Sequence, residues 1–215
     1  MSLTHSNVDR RPSDCGLGEG IEAIGLNLVG VLPIETYDRS VPSAWNSGQL
    51  LPTARSALLV GAGGSALYRI HRAARVPESL DQFVARFVED GCAQLVVQGW
   101  PSVAFAYDEK RDGQFVDLVA LAELAGLGAH SRLGLLVHRE YGPWLSLRAL
   151  VLTERRLPET SRDDSFSPCT GCPAPCSDEC PVRAPGPLPS GFDVRACGHQ
   201  RKLEGPCRLR CEARR

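Results

Sequence analysis

The segment SPCTGCPAPCSDECPV, residues 167–182, decides how this chain is organised. It places four cysteines within twelve positions and follows the last of them with a proline. Seven of the nine cysteines lie in the final 47 residues, so a cysteine-poor body precedes a cysteine-dense tail. The tail cysteines, which we take as candidate metal ligands, are Cys169, Cys172, Cys176, Cys180, Cys197, Cys207 and Cys211.

The first four tail cysteines have the spacing C-x2-C-x3-C-x3-C-P, which ends at Pro181. The bacterial ferredoxin run is C-x2-C-x2-C-x3-C-P, one residue shorter between the second and third cysteines, and its thiolates bind [4Fe–4S] clusters. The spacing therefore favours an iron–sulfur cluster. A structural zinc site is the alternative, because four cysteines also satisfy tetrahedral zinc, although zinc ligands usually come as two separated C-x2-C pairs.

The number of clusters stays open. Two [4Fe–4S] clusters require eight thiolates, whereas the tail supplies seven. A single cluster with surplus thiols, a ligand other than cysteine such as His199, or a further cysteine in a longer native chain would each resolve the count. The sequence therefore predicts one or two clusters.

Charge and hydropathy narrow the function classes. The 215 residues carry a formal net charge of −1, so bulk charge recruits neither nucleic acid nor a membrane. No apolar run approaches the roughly 18 residues of a membrane span, and the polar N-terminus lacks the apolar region of a signal peptide. We therefore expect a cytoplasmic protein without a membrane partner, in which the thiols stay reduced and favour metal binding over disulfides.

The body mixes apolar strands with amphipathic helices, which predicts an α+β (α/β) fold. Helices are predicted over 76–91, with Gly91 as the C-cap, and over 114–128. Polar, turn-rich residues 155–168 predict a linker to the tail. Strands are predicted at 25–35, 54–64, 92–99, 102–109, 132–138 and 144–154.

Two blocks of the body, LPTARSALLVG (51–61) and ELAGLGAHSRLGLLVHREYGPWLSLRALVLTE (123–154), precede the cysteine tail. Together they resemble epoxyqueuosine reductase and the related cobalamin-dependent iron–sulfur reductases, including the reductive dehalogenases. The resemblance implies a nitroreductase-like, cobalamin-binding domain over 16–158 and a ferredoxin-like [4Fe–4S] domain over 159–215. The residues before them, 1–15, are expected to be disordered. It implies an oxidoreductase, a short and divergent relative, whose cluster passes electrons to a corrinoid (cobalamin) to reduce an unknown small-molecule substrate.

Site residues are suggested by this resemblance and by the Gly-x-Gly turn at 126–128, which His130 and Arg132 follow. The catalytic candidates are Asp117 and His130, as acids. The family's acid position falls on Leu118, next to Asp117, and its tryptophan and lysine are missing from GLGAHSRL at 126–133. These departures favour an alternative, a non-catalytic iron–sulfur electron-transfer protein; a zinc-stabilised binding module is a second alternative. The candidate cofactor contacts are Gly126, Gly128, His130, Arg132 and Tyr141.

The tail is also rich in basic residues. A basic surface beside a cluster would suit an acidic electron donor, such as reduced ferredoxin or flavodoxin. Neither interleaved aromatic residues nor a known motif accompanies these charges, so we expect no nucleic-acid partner. The basic residues are Arg195, Arg201, Lys202, Arg208, Arg210, Arg214 and Arg215.

Overall fold

The computed structural model of the chain describes residues 11–160, 162, 164–187 and 191–204. Contacts divide the chain into two compact units. The first consists of Met1–Leu127 and Leu145–Asp163, and the second of Gly128–Trp144 and Asp164–Arg215. This differs from a single cut at 158/159, because Gly128–Trp144 groups with the cysteine tail. The division into nitroreductase-like and ferredoxin-like domains stays a prediction.

In the described part of the chain, six strands form two antiparallel sheets, which together with the helices confirm the α+β class. The strands are β1 (Leu28–Pro33), β2 (Ser56–Gly63), β3 (Ser102–Ala106), β4 (Ala129–His130), β5 (Leu136–Val137) and β6 (Leu145–Thr153). The first unit holds a four-stranded sheet with the order β1-β2-β6-β3, and the second unit holds the pair β4-β5. The predicted strands at 25–35, 54–64, 102–109 and 144–154 are confirmed with narrower bounds, whereas only two residues of 132–138 are extended.

The outer edge of β1 is closed by a later segment of the chain. The hydroxyl of Thr160 accepts a hydrogen bond from the Val31 N–H at 2.9 Å, and the Thr160 N–H donates to the Val31 carbonyl at 3.0 Å. The Thr160 hydroxyl in turn donates to the carbonyl of Ala125 at 2.6 Å. A buried polar side chain therefore satisfies backbone groups that an open sheet edge would leave unpaired.

The described residues also contain eight α-helices and two short 3-10 turns. The helices are α1 (Glu19–Ala23), α2 (Ile34–Ser40), α3 (Ser47–Leu50), α4 (Ala66–Ala74), α5 (Leu80–Val97), α6 (Leu118–Leu124), α7 (Pro175–Asp178) and α8 (Val194–Glu204), with 3-10 turns at Ser13–Cys15 and Ser43–Trp45. Helices α1 to α6 belong to the first unit, and α7 and α8 belong to the second. No helix in the described ranges is both long enough and apolar enough to cross a membrane.

Helix α5 corrects two predictions. It starts with a capping box, in which the Ser79 hydroxyl accepts from the Gln82 N–H and the Gln82 side chain accepts from the Ser79 N–H. It then runs through Gly91 to Val97, so the C-cap at Gly91 and the strand at 92–99 are wrong. A Cβ at Gly91 would lie 2.8 Å from the Leu17 carbonyl oxygen, so this glycine allows close packing and does not end the helix.

The expected disorder over 1–15 is wrong where the chain is described. Ser13–Cys15 form a helical turn, and Cys15 is fully buried in the core of the first unit. Residues 1–10 lie outside the described residues. The predicted helix over 114–128 is confirmed as the shorter α6. Its start is fixed by Asp117, whose side chain accepts a hydrogen bond from the Ala120 N–H at 3.0 Å.

Candidate metal centre

A short hairpin in the second unit carries His130 and Arg132. Strands β4 and β5 pair Ala129 with Val137, and the loop between them closes where the Ser131 N–H and hydroxyl both donate to the Leu135 carbonyl, at 3.0 and 2.9 Å. A Cβ at Gly128 would lie 2.5 Å from the Val137 carbonyl oxygen. The second strand of the hairpin comes so close to Gly128 that no side chain fits, and this explains why the Gly-x-Gly turn has a glycine here.

Two of the candidate ligand sulfurs accept hydrogen bonds from backbone N–H groups. The N–H of Arg132 donates to Cys169 Sγ at 3.4 Å, and the N–H of Ala184 donates to Cys180 Sγ at 3.3 Å. Hydrogen bonds of this kind stabilise the negative charge of a ligating thiolate and help to set the potential of an iron–sulfur cluster. The Arg132 contact also joins the hairpin to the first cysteine of the motif.

The backbone of the cysteine motif and of the turn just after it contains residues in the left-handed region. Gly171 has φ +72°, Ala174 has φ +58° and Arg183 has φ +48°. For a residue with a Cβ, this conformation costs about 1–2 kcal/mol. Ala174 lies in the three-residue spacer between Cys172 and Cys176, where the motif is one residue longer than the ferredoxin run. Such strain at non-glycine residues is often found at functional sites.

The tail cysteines differ in exposure. Cys176 and Cys180 are buried, whereas Cys169, Cys172 and Cys197 are partly exposed. No disulfide joins any two of the described cysteines. Cys207 and Cys211 lie outside the described residues.

The donor set fits an iron–sulfur cluster in its chemistry. It offers thiols without disulfides, and backbone N–H groups point at two of them. The cysteine sulfurs do not lie close together, because within the described ranges no three His, Cys, Asp or Glu side chains are near enough to one another to hold a metal ion. We therefore treat Cys169, Cys172, Cys176 and Cys180 as the residues that would hold a cluster, and derive no coordination geometry.

Tyr141 packs against a buried histidine. The centroids of the Tyr141 and His138 rings are 4.9 Å apart, and the N–H groups of Glu140 and Tyr141 donate to His138 Nδ1 at 3.1 and 3.3 Å. Because both N–H groups donate to Nδ1, this ring nitrogen acts as a hydrogen-bond acceptor. His138 therefore fixes the turn that presents Tyr141, and the cofactor contact predicted for Tyr141 stays a prediction.

Two site candidates lie in the first unit and have structural roles there. The Asp117 carboxylate caps α6, and Gly126 follows that helix in the left-handed conformation with φ +75°. The other candidates, Gly128, His130, Arg132 and Tyr141, belong to the second unit with the cysteines. Their catalytic and cofactor roles stay predictions.

The sequence did not reveal the backbone donors to sulfur. Every residue except proline carries an N–H, so the pattern of side chains does not mark which N–H faces a thiol. The contact between Arg132 and Cys169 joins residues 37 positions apart, which only the folded second unit brings together.

No protein-family model matches the chain, and no curated protein matches it. Solved structures do. A crystal structure of epoxyqueuosine reductase with an epoxyqueuosine-modified tRNA-Tyr stem loop has a TM-score of 0.58 at 16% identity, covering 86% of this chain and 56% of that chain. The structure of epoxyqueuosine reductase from Bacillus subtilis has a TM-score of 0.56 at 18% identity, covering 86% of this chain and 55% of that chain. The chain has the fold of these reductases.

A second group of solved structures is similar to the chain. A reductive dehalogenase, described with a mechanism for B12-dependent dehalogenation, has a TM-score of 0.56 at 16% identity and covers 93% of this chain but 31% of that one. The fold resemblance predicted from the two sequence blocks and the tail is therefore confirmed. The chain spans little more than half the length of the epoxyqueuosine reductases and about a third of the dehalogenase.

Proposed function

We propose that this protein is an iron–sulfur oxidoreductase in which a [4Fe–4S] cluster, held by the cysteine tail, passes electrons to a corrinoid bound in the N-terminal part of the chain. The observation that carries the proposal is the ferredoxin-like cysteine motif, two of whose sulfurs accept backbone hydrogen bonds. Its support from outside the motif is the fold, which the chain shares with epoxyqueuosine reductase and with a dehalogenase described as B12-dependent.

Residues of the second unit would bind the cluster and stabilise its charge. Cys169, Cys172, Cys176 and Cys180 would hold the cluster, and the N–H groups of Arg132 and Ala184 would lower the cost of the charge on two sulfurs. Tail residues such as Cys197 would complete a second cluster or remain thiols. Bound cobalamin would supply a strongly reducing cobalt centre, which protein side chains alone do not provide.

Proton delivery to a small-molecule substrate would fall to His130 or Asp117, the acids predicted from the sequence. His130 lies on β4 and is partly buried. Electrons would come from reduced ferredoxin or flavodoxin, and the basic residues Arg195, Arg201 and Lys202 on α8 suit such an acidic donor. We place the protein in the cytoplasm, where its thiols would stay reduced.

One observation favours a second function, that of a non-catalytic electron-transfer protein. The Asp117 carboxylate accepts the α6 N-cap hydrogen bond. To act as a proton donor, Asp117 would first have to be protonated, and this would weaken a bond that stabilises α6, because a protonated carboxyl is a poorer acceptor. Together with the missing tryptophan and lysine of the family's motif, this would leave the cluster without corrinoid chemistry.

The cluster is tested by comparing cysteine variants of the full chain. Cys169→Ala and Cys180→Ala should each lose bound iron and sulfide after anaerobic reconstitution. The matched control is Cys92→Ala, because Cys92 is buried in α5 within the first unit and outside the motif. Iron and sulfide contents that are equal in all three variants would contradict the assignment of the motif.

The corrinoid is tested by titrating the reconstituted full chain with cobalamin and following its visible absorption. Saturable binding, together with substrate-independent reduction of the bound corrinoid by a reduced ferredoxin, would support the oxidoreductase. A redox-active cluster without any cobalamin binding would leave only the electron-transfer protein. Stoichiometric zinc without sulfide would contradict both.

A further inference from the structure

A cavity of about 140 Å³ lies in the first unit between helix α5 and the strands β3 and β6. It exists because four of its lining residues are alanines, Ala85 on α5, Ala104 and Ala106 on β3, and Ala149 on β6. Larger apolar residues at these positions would fill the space between helix and sheet, as they do elsewhere in a close-packed core. Val84, Val88 and Phe105 add apolar surface, so the interior of the cavity is apolar.

The remaining lining residues are strongly acidic. The cavity is lined by four carboxylates and a single guanidinium, that of Arg148. Arg148 pairs with Asp81 at 2.9 Å, and Glu109 pairs with Arg111 at 3.2 Å. The carboxylates of Glu89 and Asp108 form no ion pair with the described residues. Within the described ranges, two carboxylates beside an apolar space therefore have no cation paired with them.

The hydroxyl of Tyr107 lies beside two of these carboxylates, those of Asp81 and Asp108, and is influenced by their negative charge. It donates a hydrogen bond to Asp81 Oδ2 at 3.3 Å. Its pKa is raised, first by the charge of Asp81, then by burial and by the charge of Asp108, although Arg148 acts in the opposite direction. The charges of Asp81 and Asp108 therefore each act on the Tyr107 hydroxyl more strongly than the charge of Arg148.

We propose that this cavity is a binding site for small organic cations. A primary ammonium group would lie near Glu89 and Asp108, and an apolar body would enter the space left by the four alanines. An engineered apolar cavity of about 150 Å³ binds benzene, so the volume suits a body of about six heavy atoms. Glu89 and Asp108 are exposed, so the ammonium would pair with them at the rim of the cavity and stay partly hydrated, while the apolar body is buried.

The site belongs to neither the cysteine tail nor the residues proposed for corrinoid chemistry. All of its lining residues lie in the first unit, on α5, β3, β6 and the segment after β3. Its test therefore needs neither a cluster nor cobalamin, and it stands if the proposed oxidoreductase function fails.

The probe is benzylamine, with benzyl alcohol as its neutral counterpart. Nuclear magnetic resonance titration of the full-length protein should show saturable shifts with benzylamine at α5 and β3, and an affinity for benzyl alcohol at least about tenfold lower. Higher salt should weaken benzylamine binding and leave benzyl alcohol unaffected. Equal affinity for the two compounds, or no saturation by benzylamine, would overturn the proposal.

Matched variants locate the site. Ala85→Leu should abolish benzylamine binding by filling the cavity, whereas Ala93→Leu, at an exposed position on the same helix, should not change it. Asp108→Asn should weaken binding about two- to fivefold, whereas Asp112→Asn, on an exposed turn outside the cavity, should not. Because Asp108 is exposed, its variant carries the test even if Ala85→Leu does not fold. Unchanged binding in Asp108→Asn, or in a folded Ala85→Leu, would contradict the assignment.

Discussion

Gly25, between α1 and β1, offers a direct test of the packing of the first unit. Its φ is +90°, and a Cβ built on it would lie 2.5 Å from the backbone nitrogen of Leu67 and 2.8 Å from the Leu67 Cα, in the first turn of α4. Gly25→Ala should therefore incur two separate costs, one from the backbone conformation and one from the lack of space. Neither atom of Leu67 belongs to a flexible side chain, so relief requires a backbone shift.

Gly99→Ala isolates the conformational cost. Gly99 has a nearly identical φ of +86°, but nothing lies within 4 Å of its added Cβ. The left-handed conformation costs an alanine about 1–2 kcal/mol, partly offset by about 0.4–1 kcal/mol from a less flexible unfolded chain. We expect Gly99→Ala to lower the free energy of unfolding by about 1 kcal/mol.

Gly25→Ala should lose that amount and, in addition, about 1–3 kcal/mol from overpacking, a total of about 2–4 kcal/mol. For a chain of this size, each kcal/mol corresponds to a fall in Tm of about 2–4 °C. Urea unfolding followed by circular dichroism gives the two free energies, provided that the dependence on urea is the same for both variants. Equal stability of Gly25→Ala and Gly99→Ala would refute the close approach of α4 to Gly25.

Three further substitutions test other parts of the first unit. Thr160→Val should lower the free energy of unfolding by about 1–3 kcal/mol, because it leaves the buried N–H of Val31 without an acceptor. The exposed control Thr53→Val should change the free energy of unfolding by less than about 0.5 kcal/mol. Equal effects of the two substitutions would contradict the hydrogen bond between Thr160 and Val31. Burial raises the pKa of the Cys92 thiol from 9.0 to about 11, so the neutral thiol favours the folded state below pH 9 and this contribution is lost as the pH rises through about 11. Between pH 9 and about 11, the free energy of unfolding from chemical denaturation should therefore fall more steeply for the unmodified protein than for Cys92→Ala. The same pH dependence in both proteins would contradict the burial of the Cys92 thiol. Gly20→Ala, in α1 with nothing within 4 Å of its added Cβ, should raise the free energy of unfolding by about 0.5–1 kcal/mol, and a loss of stability would show that α1 is not helical there.

The strands of the first unit were predictable because their burial follows directly from their residues. All eight residues of β2 are buried, and the five at the end of β6, Ala149–Thr153, are buried as well. Such strands appear in the sequence as short apolar runs between turn residues. The α+β class and the likeness to a known fold could therefore be predicted without any structure.

Helix α5 shows why boundaries were harder to predict. Gly91 and the β-branched pair Val96 and Val97 are locally typical of a helix end followed by a strand. The helix continues because Leu95 is fully buried in the core and Gly91 packs against the backbone at Leu17. These are contacts with distant segments, which outweigh local preference.

The candidate site shows the same limit at longer range. The cysteine spacing predicts the donor atoms, because ligand type and spacing are properties of the local sequence. The grouping of Gly128–Trp144 with the tail depends on contacts such as that of Arg132 with Cys169. The local sequence around neither residue carries a signal for it.

The central claim is that the tail thiols hold a redox-active iron–sulfur cluster. The most direct measurement is the anaerobic ultraviolet–visible spectrum of the full-length protein, purified without oxygen, before and after addition of dithionite. We predict a broad absorption band near about 400 nm that is bleached on reduction, as thiolate-ligated iron gives. A spectrum without such a band, unchanged after reconstitution with iron and sulfide, would contradict the claim.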